Sequence, residues 1–417
     1  MFLLHQVHSV WGRIRFKTET SCLCSRRCLT SLFRPEQRRG AADKQVTKKG
    51  KKERSTCQLV LELFDQQYNQ ELGDLWASAR SVLLDPRSWQ YGVMLNRFTA
   101  VKDITQILQS QGFSSFLPQT DVSSLNQTGK DSLLSPHGIS ECPPDDSSPC
   151  YIHPHPLRFP SQAHRPGQLK QYYLLNAASL LPVLALQVKD GEKVLDLCSA
   201  PGGKALAVMQ CATPELLCCN EPDPQRRDWL AKTLESFVPH SLHSKVMVSA
   251  QDGQRFQSED VTYDKVLVDA PCSNDRSWLY SGSAQQGVQR LKERARLPVL
   301  QAQLLRSALS VVRPGGLVVY STCTLSSSEN YSVVETVLKD FPDAEPEDLW
   351  EEIAIPLSEH FVFRPSHPGY GQTSHQPSLL PQNNDVSSYP NRLGILVVPQ
   401  PGRTWGPMFL SRIRRRT

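Results

Sequence analysis

The sequence predicts an α/β fold: a doubly wound, mostly parallel sheet, preceded by a helical lobe and finished by an antiparallel edge hairpin. Three observations carry that expectation. Short apolar runs alternate with amphipathic segments between residues 193 and 321. Glycine turns and acidic residues punctuate the ends of those runs. Two late apolar runs, 393–398 and 408–410, lie close enough in sequence to pair with each other.

Taken in chain order, the first element is helical. Between Cys57 and Leu84, the residues Val60, Leu63, Phe64, Leu72, Leu75, Trp76, Ala79 and Leu83 recur at helical spacing until Asp85-Pro86 ends the run. Residues 56–113 therefore read as a helical N-terminal lobe. Residues 114–168 are dense in Ser, Pro, His and Gln and have no period, so they read as a flexible insertion, and 365–391 has the same character. The main domain is expected over 169–412. Its candidate strands are 193–197, 215–220, 245–249, 265–269 and 316–321. Between them, 224–237 reads as a helix with Trp229, Leu230, Thr233, Leu234 and Phe237 on one face. Leu300, Leu304, Ala308 and Val311 mark another helix before the fifth strand.

Composition narrows the class. The 417 residues are 39% apolar, enough for a sizeable core, and the net charge of +5 is unevenly placed. Residues 1–55 hold 14 Lys and Arg against four acids, which leaves the remainder near −5. This Arg- and Ser-rich leader, with no acid before Glu19, fits a mitochondrial presequence better than a secretory signal. A basic tail for nucleic acid is the other reading, and Lys48 to Arg54 serves either. No run of 18 apolar residues occurs, so no membrane span is expected. The 12 cysteines, without a secretory signal, read as free thiols. No metal site is expected, because Cys22, Cys24 and Cys28 lie in the leader and Cys142 and Cys150 in the polar insertion. Cys211, Cys218 and Cys219 read as small core residues.

Sites in such sheets sit at the carboxyl ends of the strands. After the first strand comes Asp196-Leu-Cys-Ser-Ala-Pro-Gly-Gly-Lys204, whose Gly202-Gly203 turn lets backbone approach a ligand closely. It lacks the three-glycine dinucleotide fingerprint, which disfavours a dehydrogenase. Glu221 ends the second strand at the spacing of a ribose-binding acid, Asp252 follows the third, and Asp269 ends the fourth. Four acids at successive strand ends describe a pocket for a nucleoside and not for polyphosphate. Each acid alone also reads as a cap or turn residue. Two cysteines, Cys272 and Cys323, end neighbouring apolar runs 51 residues apart.

Cys-Ser-Ala-Pro-Gly-Gly-Lys at 198–204, Asp-Ala-Pro-Cys at 269–272 and Ser-Thr-Cys-Thr at 321–324 resemble, in order and spacing, the signature motifs of the Nop/Sun family of RNA cytosine-5 methyltransferases. The resemblance implies a Rossmann-like S-adenosylmethionine-dependent methyltransferase sheet over about 172–410. It implies cofactor contacts from Cys198, Ser199, Ala200, Pro201, Gly202, Gly203, Lys204, Glu221, Arg226, Asp252, Gly253 and Asp269. It also implies that Cys323 is the nucleophile, that Asp269 activates the base, that Cys272 serves product release, and that Lys204 lines the site. QLVLELFDQQYNQELGDLW, SWQYGVMLNRF, QYYLLNAASLLPVLAL and DAPCSNDRSWLY further resemble a mitochondrial subgroup acting on the wobble cytosine of methionine tRNA. The implied partner is thus RNA, a tRNA anticodon stem-loop, bound by a monomer in the mitochondrial matrix. The Asp275-Arg276 pair departs from the Ser-Gly that follows Pro-Cys in many relatives and is shared with that subgroup. Arg290, Lys292, Arg294 and Arg296, with Arg412, Arg414, Arg415 and Arg416, are candidate RNA contacts or ordinary solvated faces. Ribosomal RNA as target, and a scaffold that has lost catalysis, are the competing readings.

Overall fold

The computed structural model describes residues 56–116, 150–258, 262–280, 283–366 and 392–416. The expected presequence and most of the two polar stretches lie outside the described residues.

Five strands run parallel, in the order β7-β6-β5-β8-β9: β5 (Lys193–Asp196), β6 (Leu216–Asn220), β7 (Val246–Ser249), β8 (Tyr263–Asp269) and β9 (Val312–Thr322). These are the five runs expected from sequence. β13 (Met408–Arg415) pairs antiparallel with β9, β12 (Gly394–Val397) with β13, and β11 (Phe363–Ser366) with β12. The anticipated hairpin is therefore present but does not form the edge, because β11 continues the sheet beyond it. β10 (Ala344–Glu347) adds to the far part of β13.

Helices cover both faces of the sheet, so its central strands are apolar on both sides. One core gathers α4 (Leu181–Leu186), α5 (Gly203–Cys211) and α6 (Pro224–Phe237). The other gathers α1 (Gln58–Leu72), α2 (Asp74–Leu84), α9 (Leu297–Val311) and α10 (Tyr331–Leu338). α6 begins where Asp223 accepts the Arg226 N–H at 2.8 Å and Pro224 supplies a preset φ. Only part of its expected apolar face is buried. Leu230, Leu234 and Phe237 pack inward, whereas Trp229 is 52% exposed. One helical stripe spans about 100°, and Trp229 lies just off it. Cys218 and Cys219 are buried as expected, while Cys211 is exposed at the end of α5.

The N-terminal region is less helical than its periodicity implied. Gly73, at φ +57°, splits the first run into α1 and α2. Beyond them, a four-stranded antiparallel sheet forms in the order β2-β3-β1-β4. It comprises β1 (Gly92–Leu95), β2 (Ser114–Ser115), β3 (Cys150–Ile152) and β4 (Tyr172–Leu175), with α3 (Lys102–Ser110) packed against it. β1 takes one partner from inside the expected insertion and one from beyond it, pairing Val93 with Tyr151 and with Leu174, so the 114–168 stretch is not a flexible loop throughout: its two ends supply β2 and β3. Two short helices, α7 (Asp275–Trp278) and α8 (Ala284–Arg294), follow the end of β8.

Candidate active site

The strand order reverses direction at β5, with β6 and β7 on one side and β8 and β9 on the other. Loops leaving the carboxyl ends diverge there and open a crevice. Asp196 ends β5, 1% exposed, and neither carboxylate oxygen makes a well-formed hydrogen bond, although the Ser199 hydroxyl and the Cys198 amide lie near enough to act on it weakly. Burial, which favours the neutral acid, raises its pKa to about 7, Asp269 pushes the same way, and Ser199, Lys204 and the Cys198 amide offset only part of this. The buried Ser199 hydroxyl is likewise without a well-formed hydrogen bond.

The 198–204 turn is held by the Ser199 N–H on Asn220 O at 2.9 Å and the Gly202 N–H on Ser199 O at 2.7 Å. Gly202 has φ +106°. A Cβ there would lie 3.1 Å from Leu230 and 3.2 Å from Thr233, and one at Gly203 would lie 3.2 Å from Tyr173. The glycines thus admit α6 and Tyr173 against the turn, a packing reason for them that differs from the expected clearance for a ligand. Ala200 is buried and Pro201 exposed at the tip.

Glu221, 1% exposed, accepts the Asp223 N–H at 3.0 Å and meets Arg226 at 3.1 Å. Arg226 also donates to Ala200 O at 3.1 Å, so it ties the end of β6 to the glycine turn. Asp252 caps a short turn by accepting the Gln254 N–H at 3.0 Å and remains exposed. The buried Gly253 leaves no room for a Cβ, which would meet Leu304 at 2.8 Å.

Across the crevice, Lys204 meets Asp269 at 2.7 Å, with side chains 12% and 32% exposed. Burial alone lowers the Lys204 pKa, but Asp269 and the nearby Cys323 outweigh it and carry it above the usual lysine value. The other Asp269 oxygen accepts the Ser321 hydroxyl at 3.0 Å, since β8 and β9 pair Asp269 with Ser321. The loops that follow these two residues bring the Cys272 and Cys323 sulfurs to 3.2 Å, and the Cys323 N–H points to the Cys272 sulfur at 3.3 Å. The Cys323 sulfur, then burial, then Glu329 hold the Cys272 thiol well above its ordinary pKa.

The expected strand-end residues therefore lie at the carboxyl ends of neighbouring parallel strands, with Lys204, Asp269, Cys272 and Cys323 brought together. The basic clusters do not join them. Arg412 is 2.7 Å from Glu352 and 2.6 Å from Glu347, Arg415 is 3.1 Å from Asp343, Arg416 is 2.9 Å from Glu345, and Arg414 pairs with Glu347. Arg294 is buried against Glu329. Arg276 donates to Gly406 O at 2.5 Å and to Thr404 O, and lies 4.5 Å over the Trp89 ring. Arg276, Arg294 and Arg412 are tied into the fold, whereas Arg414 and Arg416 make exposed ion pairs of the kind a solvated face carries, and Lys292 and Arg296 are exposed. Sequence reasoning also missed Asn220, whose buried amide joins Leu197 O to Gln251 O, although its place at the end of β6 was a usable signal.

The family profile described as 16S rRNA methyltransferase RsmB/F matches residues 183–386. A Danio rerio protein named tRNA (cytosine(34)-C(5))-methyltransferase, mitochondrial, is 50% identical over 366 residues, 88% of this chain and 89% of its own length. This chain belongs to the Sun-domain family of RNA cytosine-5 methyltransferases. A Mus musculus protein of the same name is 42% identical, covering 88% of this chain and 93% of its own. The Mus musculus 5-cytosine rRNA methyltransferase NSUN4 is 38% identical over 68% of this chain and 75% of its own. Among solved structures, NSun6 from Pyrococcus horikoshii with SFG superposes at TM-score 0.54 and 15% identity, covering 85% of this chain and 98% of its own, which establishes the shared fold.

Like its family, this Sun-domain protein is an S-adenosylmethionine-dependent enzyme that methylates carbon 5 of cytosine in RNA. The crevice fits that cofactor. Buried oxygens on Asp196 and Ser199 that lack a well-formed hydrogen bond suit a ligand carrying positive charge and hydrogen-bond donors. Among the described residues, no group of three His, Cys, Asp or Glu could hold a metal ion, and no helix is long and apolar enough to cross a membrane.

Proposed function

We propose that this enzyme methylates the wobble cytosine in the anticodon loop of mitochondrial methionine tRNA, through a covalent bond between Cys323 and carbon 6. The contact of the Cys272 and Cys323 sulfurs at 3.2 Å, beside the Lys204–Asp269 pair at 2.7 Å, carries the mechanism. The relatives named for cytosine 34 of tRNA, at 50% and 42% identity, support the target and the mitochondrial matrix as location.

Carbon 5 of cytosine is a weak nucleophile, and thiolate addition at carbon 6 makes it reactive. Cys323 is the attacker that the family resemblance implies, and its sulfur lies 3.2 Å from that of Cys272. Asp269, oriented by Lys204 and Ser321, sits to pass the proton given up by the Cys323 thiol to base nitrogen 3 and so neutralise charge gathering on the ring. Asp196, Ser199, the 200–203 turn, Glu221, Arg226, Asp252 and Gly253 would hold S-adenosylmethionine, which when bound would supply the electrophilic methyl group that carbon 5 takes. Cys272, which gives its own proton to solvent once Cys323 is a neutral thioether, then takes the proton from carbon 5, directly or through water. The carbon–sulfur bond to Cys323 breaks, and its electron pair returns to the sulfur. An anticodon loop presents its bases unstacked, so little energy is needed to bring one into the site.

Cys323→Ala is expected to lower methylation more than about a thousandfold. Cys272→Ala leaves an RNA–protein adduct that survives a denaturing gel. Full activity in Cys323→Ala would rule the covalent route out. Methylation of a panel of anticodon stem-loops, with bisulfite sequencing of mitochondrial RNA after loss of the protein, tests the target. Loss of a ribosomal site alone would reassign the substrate.

A further inference from the structure

Behind the two thiols lies a buried polar cluster that the chemistry above does not use. The loop after Cys272 supplies Asp275, and the segment after Cys323 leads to Glu329; both are 0% exposed. Each acid grips the other cysteine's loop. Asp275 accepts the Leu325 N–H at 2.7 Å and the Thr324 hydroxyl at 3.0 Å, immediately beyond Cys323. Glu329 accepts the Ser273 N–H at 2.9 Å and its hydroxyl at 2.6 Å, immediately beyond Cys272. The result is a reciprocal clasp between the two loops.

Three elements brace it from outside the motifs. From α1, the Tyr68 hydroxyl donates to Asp275 at 2.9 Å. From α8, Arg294 donates to Tyr68 at 3.0 Å and lies 3.6 Å from Glu329. From α9, Gln301 donates to Glu329 at 3.0 Å and to Pro271 O at 2.9 Å. One guanidinium thus faces two carboxylates in a water-excluded site. Such a cluster is a poor source of stability, since apolar packing of the same volume does as well or better. Its hydrogen bonds are directional, however, and fix where each loop begins.

We propose that Asp275 and Glu329, braced by Tyr68 and Arg294, are positioning residues that hold Cys272 at working distance from carbon 5, the neighbour of the carbon 6 to which Cys323 adds. The proposal rests on the covalent reading above. Loosening the clasp displaces Cys272 relative to Cys323, and a shift on the order of 1 Å slows proton removal by about ten- to a hundredfold while addition continues. Tyr68→Phe and Glu329→Gln therefore resemble a partial Cys272→Ala: turnover falls and the steady-state fraction of RNA-linked protein rises about tenfold or more. A purely structural role instead lowers adduct and turnover together, in proportion to the folded fraction measured by circular dichroism. That outcome, or a wild-type ratio of adduct to turnover in both variants, overturns the proposal. Cys272→Ala serves as control. If it accumulates adduct while the two clasp variants do not, the positioning role alone fails; if it accumulates none, the covalent reading fails and takes the proposal with it.

Discussion

Asp196 shows how a single residue can be set against the free protein's stability. Its pKa of about 7 lies above the ordinary aspartate value, so the folded state favours the protonated acid. The stabilisation this gives is complete below about pH 4 and is lost as pH rises through 7, a change of roughly 4 kcal/mol at most. Asp196→Asn is therefore expected to raise the melting temperature at pH 8 and to flatten its dependence between pH 5 and 8. The same substitution weakens S-adenosylmethionine binding, because the cationic sulfonium and ammonium groups no longer meet a carboxylate. Thermal melts and calorimetric titration across that range check both signs; an unchanged melting profile would contradict the assignment of the orphan carboxylate. The acid itself was legible from its place at a strand end. Its lack of a well-formed hydrogen bond was not, because that depends on what β6 and the glycine turn leave unfilled.

At the scale of elements, the turn between β5 and α5 is where backbone and packing demands coincide. Gly202 combines φ +106° with neighbours at 3.1 and 3.2 Å on α6. Gly202→Ala is expected to lower stability by about 1 to 3 kcal/mol, measured as a shift of denaturant midpoint at unchanged slope. The central strands could be read from sequence to within a few residues, because burial on both faces leaves continuous apolar runs. The small sheet could not. β1 finds its partners in Tyr151 and Leu174, across a long polar stretch, and no local period reports a pairing at that range. β10 and β11 are short, polar in part, and defined by the strands they join.

For the whole molecule, charge is the property that sequence reading handled least well. Arginine clusters near the end of the chain read equally as RNA contacts or solvated faces, yet Arg412, Arg414, Arg415 and Arg416 are each paired with an acid of the 343–352 segment. Ion pairing across a sheet is a property of the assembled fold, invisible to a running count of charges. The motif residues, in contrast, were legible because strand ends of a doubly wound sheet converge on one crevice whatever their separation in the chain. The clasp behind that crevice was not, since Tyr68, Arg294 and Gln301 reach it from helices with ordinary amphipathic patterns.

The touching sulfurs impose an order of events. While Cys323 can carry charge, it keeps Cys272 protonated and unable to act as a base. On the proposed covalent route, Cys323 becomes a neutral thioether once bonded to carbon, that opposition vanishes, and the second thiol is released to ionise. The site would then behave as an interlock in which the first bond arms the group that ends the cycle. Alkylation of Cys272 followed against pH is expected to show a lower midpoint in Cys323→Ala than in the wild type; equal midpoints would mean that the two thiols keep no such sequence.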